Sequence, residues 1–372
     1  MREFAASLSY DIIYTMTSQE KLEVLKTIGE EVVTEEELLK LLEEKEHPVA
    51  YDGFEPSGIA PIHFGLYRAI NVKKLIKCGI HLKLFLADFH AMVNNKYGGD
   101  LTRIKRVGEY FIKVWEAAGV DTSKVEIVWA SDIAARRDYW ELFLKVGMNL
   151  SLARSMKSLT IMGRSEKDKL TTAQLFYPSM QVTDIFTLGI DICQLGMDQR
   201  RANMIAREVA PKLGFKKPVA LHHHMLLGLK GIKKGDNIEE TLIASKMSKS
   251  DPGSAIYMHD SEKEIASKIN TAFCPPKQVE GNPILEYTKY ILFESNSFIA
   301  LRREQEHGGD KAYKSYTELE KDFANGALHP MDLKAMVAGE LEKLIKPVRE
   351  YFETNDEARK LYEEVKGYEI TR

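Results

Sequence analysis

Three hydrogen-bonding side chains recur at helical spacing in the otherwise apolar segment 175–186. Tyr177, Gln181 and Asp184 are residues i, i+4 and i+7, and at about 100° per residue they fall within roughly 60° of one another on a helix. Apolar residues surround them, so we expect this polar face to point into the protein interior. A phenol, an amide and a carboxylate on one buried face predict a binding site for a small polar molecule. The alternative is that Gln181 and Asp184 satisfy each other in a polar patch of the core.

A second chemical signal is the sequence KMSKS at 246–250. Lys246 and Lys249 can neutralise the charge that builds on a leaving pyrophosphate, and their small or flexible neighbours let a loop fold over a triphosphate. A solvated charged loop is the ordinary interpretation of such a pentamer. The companion motif near the N-terminus decides between the two.

That companion is the stretch 51–65, which has the pattern of a strand, a glycine-containing loop and the start of a helix. Gly53 and Gly65 allow the backbone to approach a nucleotide closely, and His63 near a helix N-terminus suits phosphate oxygens. Alone, a His-x-Gly sequence is more often a helix cap than a ligand. Followed by a later KMSKS sequence, it predicts a nucleotide-binding site.

With these motifs the chain resembles the class I aminoacyl-tRNA synthetases, specifically the archaeal and eukaryotic type of tyrosyl-tRNA synthetase. The resemblance covers residues 47–350 and rests also on the segments LADFHA, YPSMQVTDI, GMDQRRANMIARE and LHPMDLK. It implies activation of L-tyrosine by ATP, which enters with Mg²⁺, and transfer of tyrosine to tRNA(Tyr). It further implies a cytoplasmic homodimer with no tightly bound cofactor, no dedicated metal site and no membrane or DNA partner.

The resemblance also implies a role for each site residue. Asp184 accepts a hydrogen bond from the substrate phenol, and a buried acceptor of this kind would be left unpaired by phenylalanine. The implied tyrosine-binding residues are Tyr51, His90, Tyr177, Gln181, Asp184 and Gln199. The implied ATP-binding residues are Gly53, His63, Gly65, Met247, Ser248 and Lys249, and His63, Lys246 and Lys249 are the implied catalytic residues. The implied tRNA-binding residues are Arg200, Arg201, His307, His329 and Asp332.

Several positions keep a plainer interpretation. His90 can be a structural histidine, Arg200 and Arg201 can be solvated, and His329 with Asp332 can cap a helix. The HHH run at 222–224 invites a metal site, but adjacent residues of an extended segment point in alternate directions, so we favour a nucleotide contact by one of them.

The chain departs from the family pattern near both of its predicted ligands. Leu66 stands where a second histidine often stands, and the loop before His63 is longer than in archaeal members. His307 replaces an aromatic residue that stacks on an anticodon base in some relatives.

Two other functions remain open. A tryptophanyl-tRNA synthetase shares the fold and the KMSKS-type loop, and the combination of Tyr51, Gln181 and Asp184 argues against it. A non-catalytic RNA-binding paralogue would be expected to lose the loop lysines or the substrate clamp, and both are intact here.

The elements that must position these residues alternate along the chain. Strand-like segments near 49–54, 82–89, 124–130 and 190–195 alternate with amphipathic helices, which predicts an α/β, doubly wound (Rossmann-like) parallel sheet whose ligands bind at the carboxyl ends of the strands. We expect an N-terminal arm and two helices over 1–46, in which 1–15 is an accessory arm or a docked element. A catalytic domain follows over 47–280, with a helical insertion near 136–175 and a linker near 225–260. An all-helical, anticodon-binding domain is expected over 281–372.

Composition limits the class of protein. The chain has 372 residues, 44% of them hydrophobic, and a formal net charge of −3, so RNA must be met by local basic clusters. Its three cysteines are widely spaced, which argues against a disulfide framework or a zinc site and fits a reducing compartment. The apolar residues of the insertion are candidates for a dimer interface or for internal core: Met148, Leu150, Leu152, Met156 and Leu159.

Overall fold

A six-stranded sheet forms the centre of the molecule. The computed structural model describes residues 16–164, 168–232 and 252–369. The strands are β1 (Gly29–Val33), β2 (Val49–Phe54), β3 (His81–Leu86), β4 (Val125–Trp129), β5 (Ile192–Gly196) and β6 (Val219–His223), in the order β1-β6-β5-β2-β3-β4. All neighbours are parallel except β1, which pairs antiparallel with β6. The doubly wound, mostly parallel sheet is confirmed.

Helices pack on both faces of this sheet and form most of the remainder. In the N-terminal part they are α1 (Ser18–Lys26), α2 (Glu35–Glu44), α3 (Arg68–Lys77), α4 (Asp88–Val93) and α5 (Leu101–Ala117). The middle of the chain holds α6 (Ala130–Ala134), α7 (Arg137–Met148), α8 (Leu152–Lys157), α9 (Thr172–Thr187), α10 (Arg200–Val209) and α11 (Glu262–Thr271). Beyond residue 281 lie α12 (Pro283–Tyr287), α13 (Phe293–Ser295), α14 (Tyr316–Asn325), α15 (Pro330–Thr354) and α16 (Asp356–Lys366).

The central strands are apolar because both of their faces are covered. All five residues of β5 and of β6 are buried, and such strands read as continuous hydrophobic runs. Their polar exceptions, including Gln194, His222 and His223, lie at or near the carboxyl ends. This is the edge of a parallel sheet at which ligands bind.

Three features differ from the sequence predictions. A strand, β1, lies between the two predicted N-terminal helices; it is only five residues long and lies between the C-cap of α1 at 27 and the N-cap of α2 at 34. The segment 136–175 is not continuous helix, since α7 and α8 are followed by a 3₁₀ turn at Leu159–Met162 and a break before α9. The C-terminal region is mainly helical but includes a short antiparallel pair, β7 (Ile299–Leu301) and β8 (Lys311–Tyr313), so it is not all-helical.

The C-terminal helices pack directly on the sheet domain. The ring of His259 stacks on that of Tyr362 at 3.7 Å and lies beside Tyr110 of α5 and Phe352 of α15. Arg106 of α5 forms a two-pronged ion pair with Glu364 of α16, with contacts of 2.7 and 3.0 Å. One hydrophobic cluster therefore runs through both regions. No helix within the described ranges is long and apolar enough to cross a membrane.

Candidate amino-acid and nucleotide site

Helix α9 carries the predicted polar face into the interior. Its N-terminus is fixed by a capping box between Thr171 and Gln174. Tyr177, Gln181 and Asp184 are all buried, and Asp184 is completely inaccessible. The face therefore points inward, as the sequence predicts.

At one end of this face, Asp184 lies between a tyrosine and a histidine. The hydroxyl of Tyr139, from α7, donates to Oδ1 of Asp184 at 2.9 Å. Oδ2 lies 3.1 Å from Nε2 of His90, on α4, in a geometry that is not that of a hydrogen bond. Within the described ranges Oδ2 accepts no hydrogen bond. A buried carboxylate oxygen in this condition is suited to a donor supplied by a ligand.

At the other end, side chains from three segments converge. The hydroxyl of Tyr177 donates to Oε1 of Glu55 at 2.7 Å. The amide of Gln181 donates to Oε1 of Gln199 at 3.3 Å, and Gln199 in turn donates to the carbonyl of Ile161 at 2.8 Å. Among the described residues, Oε1 of Gln181 has no hydrogen-bond partner. Carbonyl and carboxylate oxygens at this end suit an ammonium group.

The rest of the pocket is aromatic. The ring of His90 meets that of Tyr177 edge to face at 4.8 Å, and Phe85 of β3 lies edge to face with both His90 and Tyr51. Burial raises the pKa values of Tyr51 and Tyr177 well above the usual value. Both phenols are therefore neutral donors at physiological pH. All six predicted tyrosine-binding residues are thus gathered in one place, although His90 belongs to helix α4 rather than ending strand β3.

Three of the predicted nucleotide-binding residues, Gly53, His63 and Gly65, lie in or directly after the segment that leaves strand β2. His63 opens a π-helical turn (His63–Tyr67) that continues into α3, and it is partly exposed. Gly53 is the second-last residue of β2 and lies against the ring of Phe85. Gly65 is buried, and a Cβ at this position would overlap the side chain of Met258. Close packing therefore already requires a glycine at 65, and its contact with ATP stays a prediction. The predicted residues Lys246, Met247, Ser248 and Lys249 lie outside the described ranges.

The three adjacent histidines have protein partners in alternating directions. His222 and His224 pair with Glu31 and Glu30 of the β1 edge at 2.8 and 3.0 Å, whereas His223 contacts Gln194 at 2.7 Å. Burial lowers the pKa of His223 well below its usual value, so this histidine is neutral beside the nucleotide edge. In the parts of the chain that the structure describes, no cluster of three His, Cys, Asp or Glu residues could hold a metal ion.

The predicted tRNA contacts lie at two places, at the start of α10 directly after Gln199 and in the C-terminal region. Arg200 is exposed and paired with Glu31 at 2.8 Å, and Arg201 donates to the carbonyl of Lys157. His329 is the N-cap of α15, where its ring accepts the amide of Met331 at 3.2 Å. These geometries agree with the plainer interpretations and leave a role in binding RNA as a prediction. Asp332 lies in the first turn of α15, and His307 ends a 3₁₀ turn at Gln305–His307.

Sequence reasoning missed two residues of this site. Tyr139 and Glu55 each contact a predicted substrate residue, but they come from an insertion helix and from the loop after β2. Neither has a periodicity that marks it. For Glu55 a signal existed, since a charged residue directly after a parallel strand lies at the ligand edge.

Comparison with known proteins agrees with the geometry. The profile of the family "tRNA synthetases class I (W and Y)" matches residues 43–346. Tyrosine–tRNA ligase 1, cytoplasmic, of Arabidopsis thaliana is 46% identical over 357 residues, which cover 95% of this chain and 90% of the relative. The chain belongs to the tyrosyl-tRNA synthetases.

Solved structures support the same conclusion. Tyrosyl-tRNA synthetase from Pyrococcus horikoshii, complexed with L-tyrosine, aligns with a TM-score of 0.86 at 41% identity, covering 94% of this chain and all of that one. Tryptophanyl-tRNA synthetase from Giardia lamblia aligns with a TM-score of 0.67 at 18% identity, over 96% and 93% of the two chains, and so shares the fold alone. This tyrosyl-tRNA synthetase is an aminoacyl-tRNA ligase that joins tyrosine to tRNA, and like class I synthetases it uses ATP as a substrate.

Proposed function

We propose that the buried cluster on α9 is the tyrosine clamp of this ligase. The observation that carries the proposal is the inaccessible carboxylate of Asp184, whose Oδ2 accepts no hydrogen bond from the described residues. The substrate phenol donates to this oxygen beside Tyr51, and His90 packs against the substrate ring. The ammonium group of the substrate lies among Tyr177, Gln181 and Gln199.

The first reaction forms tyrosyl-adenylate. A carboxylate oxygen of tyrosine forms a bond to the α-phosphorus of ATP while the bond from that phosphorus to pyrophosphate breaks. This displacement needs positioning and charge stabilisation more than a general base. His63, Lys246 and Lys249 supply the stabilisation, Gly53 and Gly65 admit the nucleotide, and Met247 and Ser248 belong to the loop that covers it. Mg²⁺ enters with ATP and offsets phosphate charge, so the protein needs no dedicated cage for it.

The second reaction moves the tyrosyl group to the terminal ribose of tRNA(Tyr). A ribose hydroxyl attacks the carbonyl carbon, and AMP leaves. Arg200 and Arg201 lie on α10, next to the clamp residue Gln199, and bind the acceptor end. His307, His329 and Asp332 of the C-terminal region contact the anticodon.

The assembly we propose is a cytoplasmic homodimer. Helix α7 exposes Trp140, Leu144 and Met148 at i, i+4 and i+8, with Met148 85% accessible, and Leu152 and Phe176 extend the same apolar surface. Leu159, which the sequence offered as an interface residue, is fully buried in an internal cluster, while Leu150 is partly buried against the core.

Charging of tRNA tests the overall reaction. Purified protein, ATP, Mg²⁺ and labelled L-tyrosine are incubated with unfractionated tRNA, with labelled L-tryptophan in a parallel reaction. Tyrosyl-tRNA is the expected product. Charging by tryptophan alone would instead assign the enzyme to the sister specificity, and charging by neither would exclude ligase activity.

A further inference from the structure

Tyr139 is a buried residue that the tyrosine clamp does not use directly. It lies on α7, is only 2% accessible, and its hydroxyl donates to Oδ1 of Asp184 at 2.9 Å. Burial, followed by the negative charge of Asp184, raises the pKa of Tyr139 far above its usual value, so the phenol keeps its proton. In this hydrogen bond Tyr139 is therefore always the donor and Asp184 the acceptor.

This bond determines which oxygen of Asp184 faces the substrate. The terminal torsion of an aspartate side chain has broad energy wells, so an unrestrained carboxylate turns easily. Here Tyr139 occupies Oδ1, and Oδ2 is left beside His90 with no hydrogen bond from the described residues. A single oxygen in a fixed orientation is thus presented to the incoming phenol.

We propose that Tyr139 is a positioning residue that sets the selectivity of the enzyme for tyrosine over phenylalanine. The inference rests on the proposed role of Asp184 as the acceptor of the substrate phenol. With Oδ1 occupied, phenylalanine leaves Oδ2 buried and unpaired, and this cost opposes its binding. Without the Tyr139 hydroxyl, the carboxylate turns to share its oxygens between His90 and the pocket. The hydrogen bond from bound tyrosine to Asp184 then becomes weaker, and the free-energy cost of binding phenylalanine becomes smaller.

The test is pyrophosphate exchange with tyrosine and with phenylalanine, measured for wild type and Tyr139→Phe. We expect kcat/KM for tyrosine relative to phenylalanine to fall about 10-fold or more. The KM for tyrosine should rise while the KM for ATP stays within about twofold of wild type. The ratio does not depend on the concentration of folded enzyme, so loss of stability alone leaves it unchanged. Tyr139→Leu, which also lacks the donor, provides an independent second variant.

Tyr313→Phe is the matched control. Tyr313 is likewise fully buried and donates to an aspartate, Asp322, at 2.9 Å, but it lies in the C-terminal hairpin. Loss of the Tyr313 hydroxyl should lower the melting temperature and leave the ratio of kcat/KM for tyrosine to kcat/KM for phenylalanine unchanged. An unchanged ratio in both Tyr139 variants, with active wild type, would overturn the inference alone. A wild type that exchanges pyrophosphate with neither amino acid would instead overturn the proposed function.

Discussion

A buried polar group without an internal partner is costly, and the proposed tyrosine pocket contains several close together. Asp184 Oδ2 and Gln181 Oε1 lie on one helix face, and neither accepts a hydrogen bond within the described ranges. Leaving such groups unpaired costs about 1–3 kcal/mol each. This cost lowers the stability of the free protein. It also favours the binding of a ligand that carries one hydrogen-bond donor for Asp184 and another for Gln181. A phenol hydroxyl and an ammonium group provide these donors.

A different, partly buried residue, His224, gives the molecule a pH dependence. His224 lies 3.0 Å from Glu30 of β1 and 3.2 Å from Glu286 of α12, and its ring stacks on Tyr290. Burial by itself lowers the pKa of His224, but the two carboxylates outweigh it and raise the pKa to about 9. Because the pKa is higher in the folded state than the unfolded value of about 6.5, the stabilisation is complete below pH 6.5. It is lost as pH rises towards 9.

His224→Gln should remove that dependence. We expect the wild-type melting temperature to fall between pH 6.5 and 9, and the variant to be less stable at pH 6.5 with a smaller decrease over the same range. Differential scanning calorimetry at four or five pH values measures this. His81→Gln is the control, since His81 is the first residue of β3 and has a half-exposed side chain. If the melting temperatures of wild type and His224→Gln changed with pH in parallel, the prediction would be contradicted.

At the scale of elements, a contact joins the two nucleotide motifs. Ile62 donates to the carbonyl of Ile256 and Met258 donates to that of Ala60, at 2.8 and 2.9 Å. Gly65 then packs against Met258. The segment before α3 is thus hydrogen-bonded to the segment that follows the KMSKS sequence. We infer that the position of one motif depends on the other.

Gly65→Ala tests this dependence. A Cβ at 65 overlaps the buried side chain of Met258, so that side chain must shift and the packing between the two segments is disturbed. We expect a melting temperature several degrees lower and a KM for ATP raised about 10-fold, with a smaller change in the KM for tyrosine. Gly339→Ala is the control, because no atom lies within 4 Å of an added Cβ in the middle of α15, and alanine there should stabilise the helix by up to about 1 kcal/mol. Equal effects on both KM values would argue against a specific link to ATP.

Elements that are specified by their own residues can be predicted from the sequence, and elements that depend on distant partners cannot. Local patterns of apolar residues predict strands β2, β4 and β5 closely, because each of these strands is specified by its own residues. Strands β1 and β6 and the pair β7–β8 escape prediction, since these strands are only three to five residues long and are defined by their partners. The six proposed tyrosine-binding residues can be named from one helix and the family motifs, and their role in binding stays a prediction. Tyr139 cannot be identified in this way, because only the folded chain brings it to the pocket, whereas the position of Glu55 directly after strand β2 was a usable signal.

At the scale of the whole molecule, the apolar face of α7 is the clearest candidate for contact between subunits. Trp140, Leu144 and Met148 are 45, 64 and 85% accessible, and an exposed apolar patch of this kind typically marks an interface. We expect Leu144→Glu to convert a dimer to a monomer, because dimer formation would bury the new charge. Light scattering after size exclusion measures the mass.

The control for this change is Phe298→Glu, an exposed apolar residue of the C-terminal region at 55% accessibility. That variant should keep the mass of two chains. A monomeric wild type, or a dimeric Leu144→Glu variant, would show that α7 is not the interface.

The most direct test of the proposed function is amino-acid-dependent exchange of labelled pyrophosphate into ATP. Tyrosine, tryptophan and phenylalanine are compared for wild type and for Asp184→Ala. The structure predicts exchange with tyrosine alone in the wild type, and loss or relaxation of that preference in the variant. Exchange with tryptophan, or a variant with unchanged preference for tyrosine, would contradict the assignment of the buried α9 cluster as a tyrosine clamp.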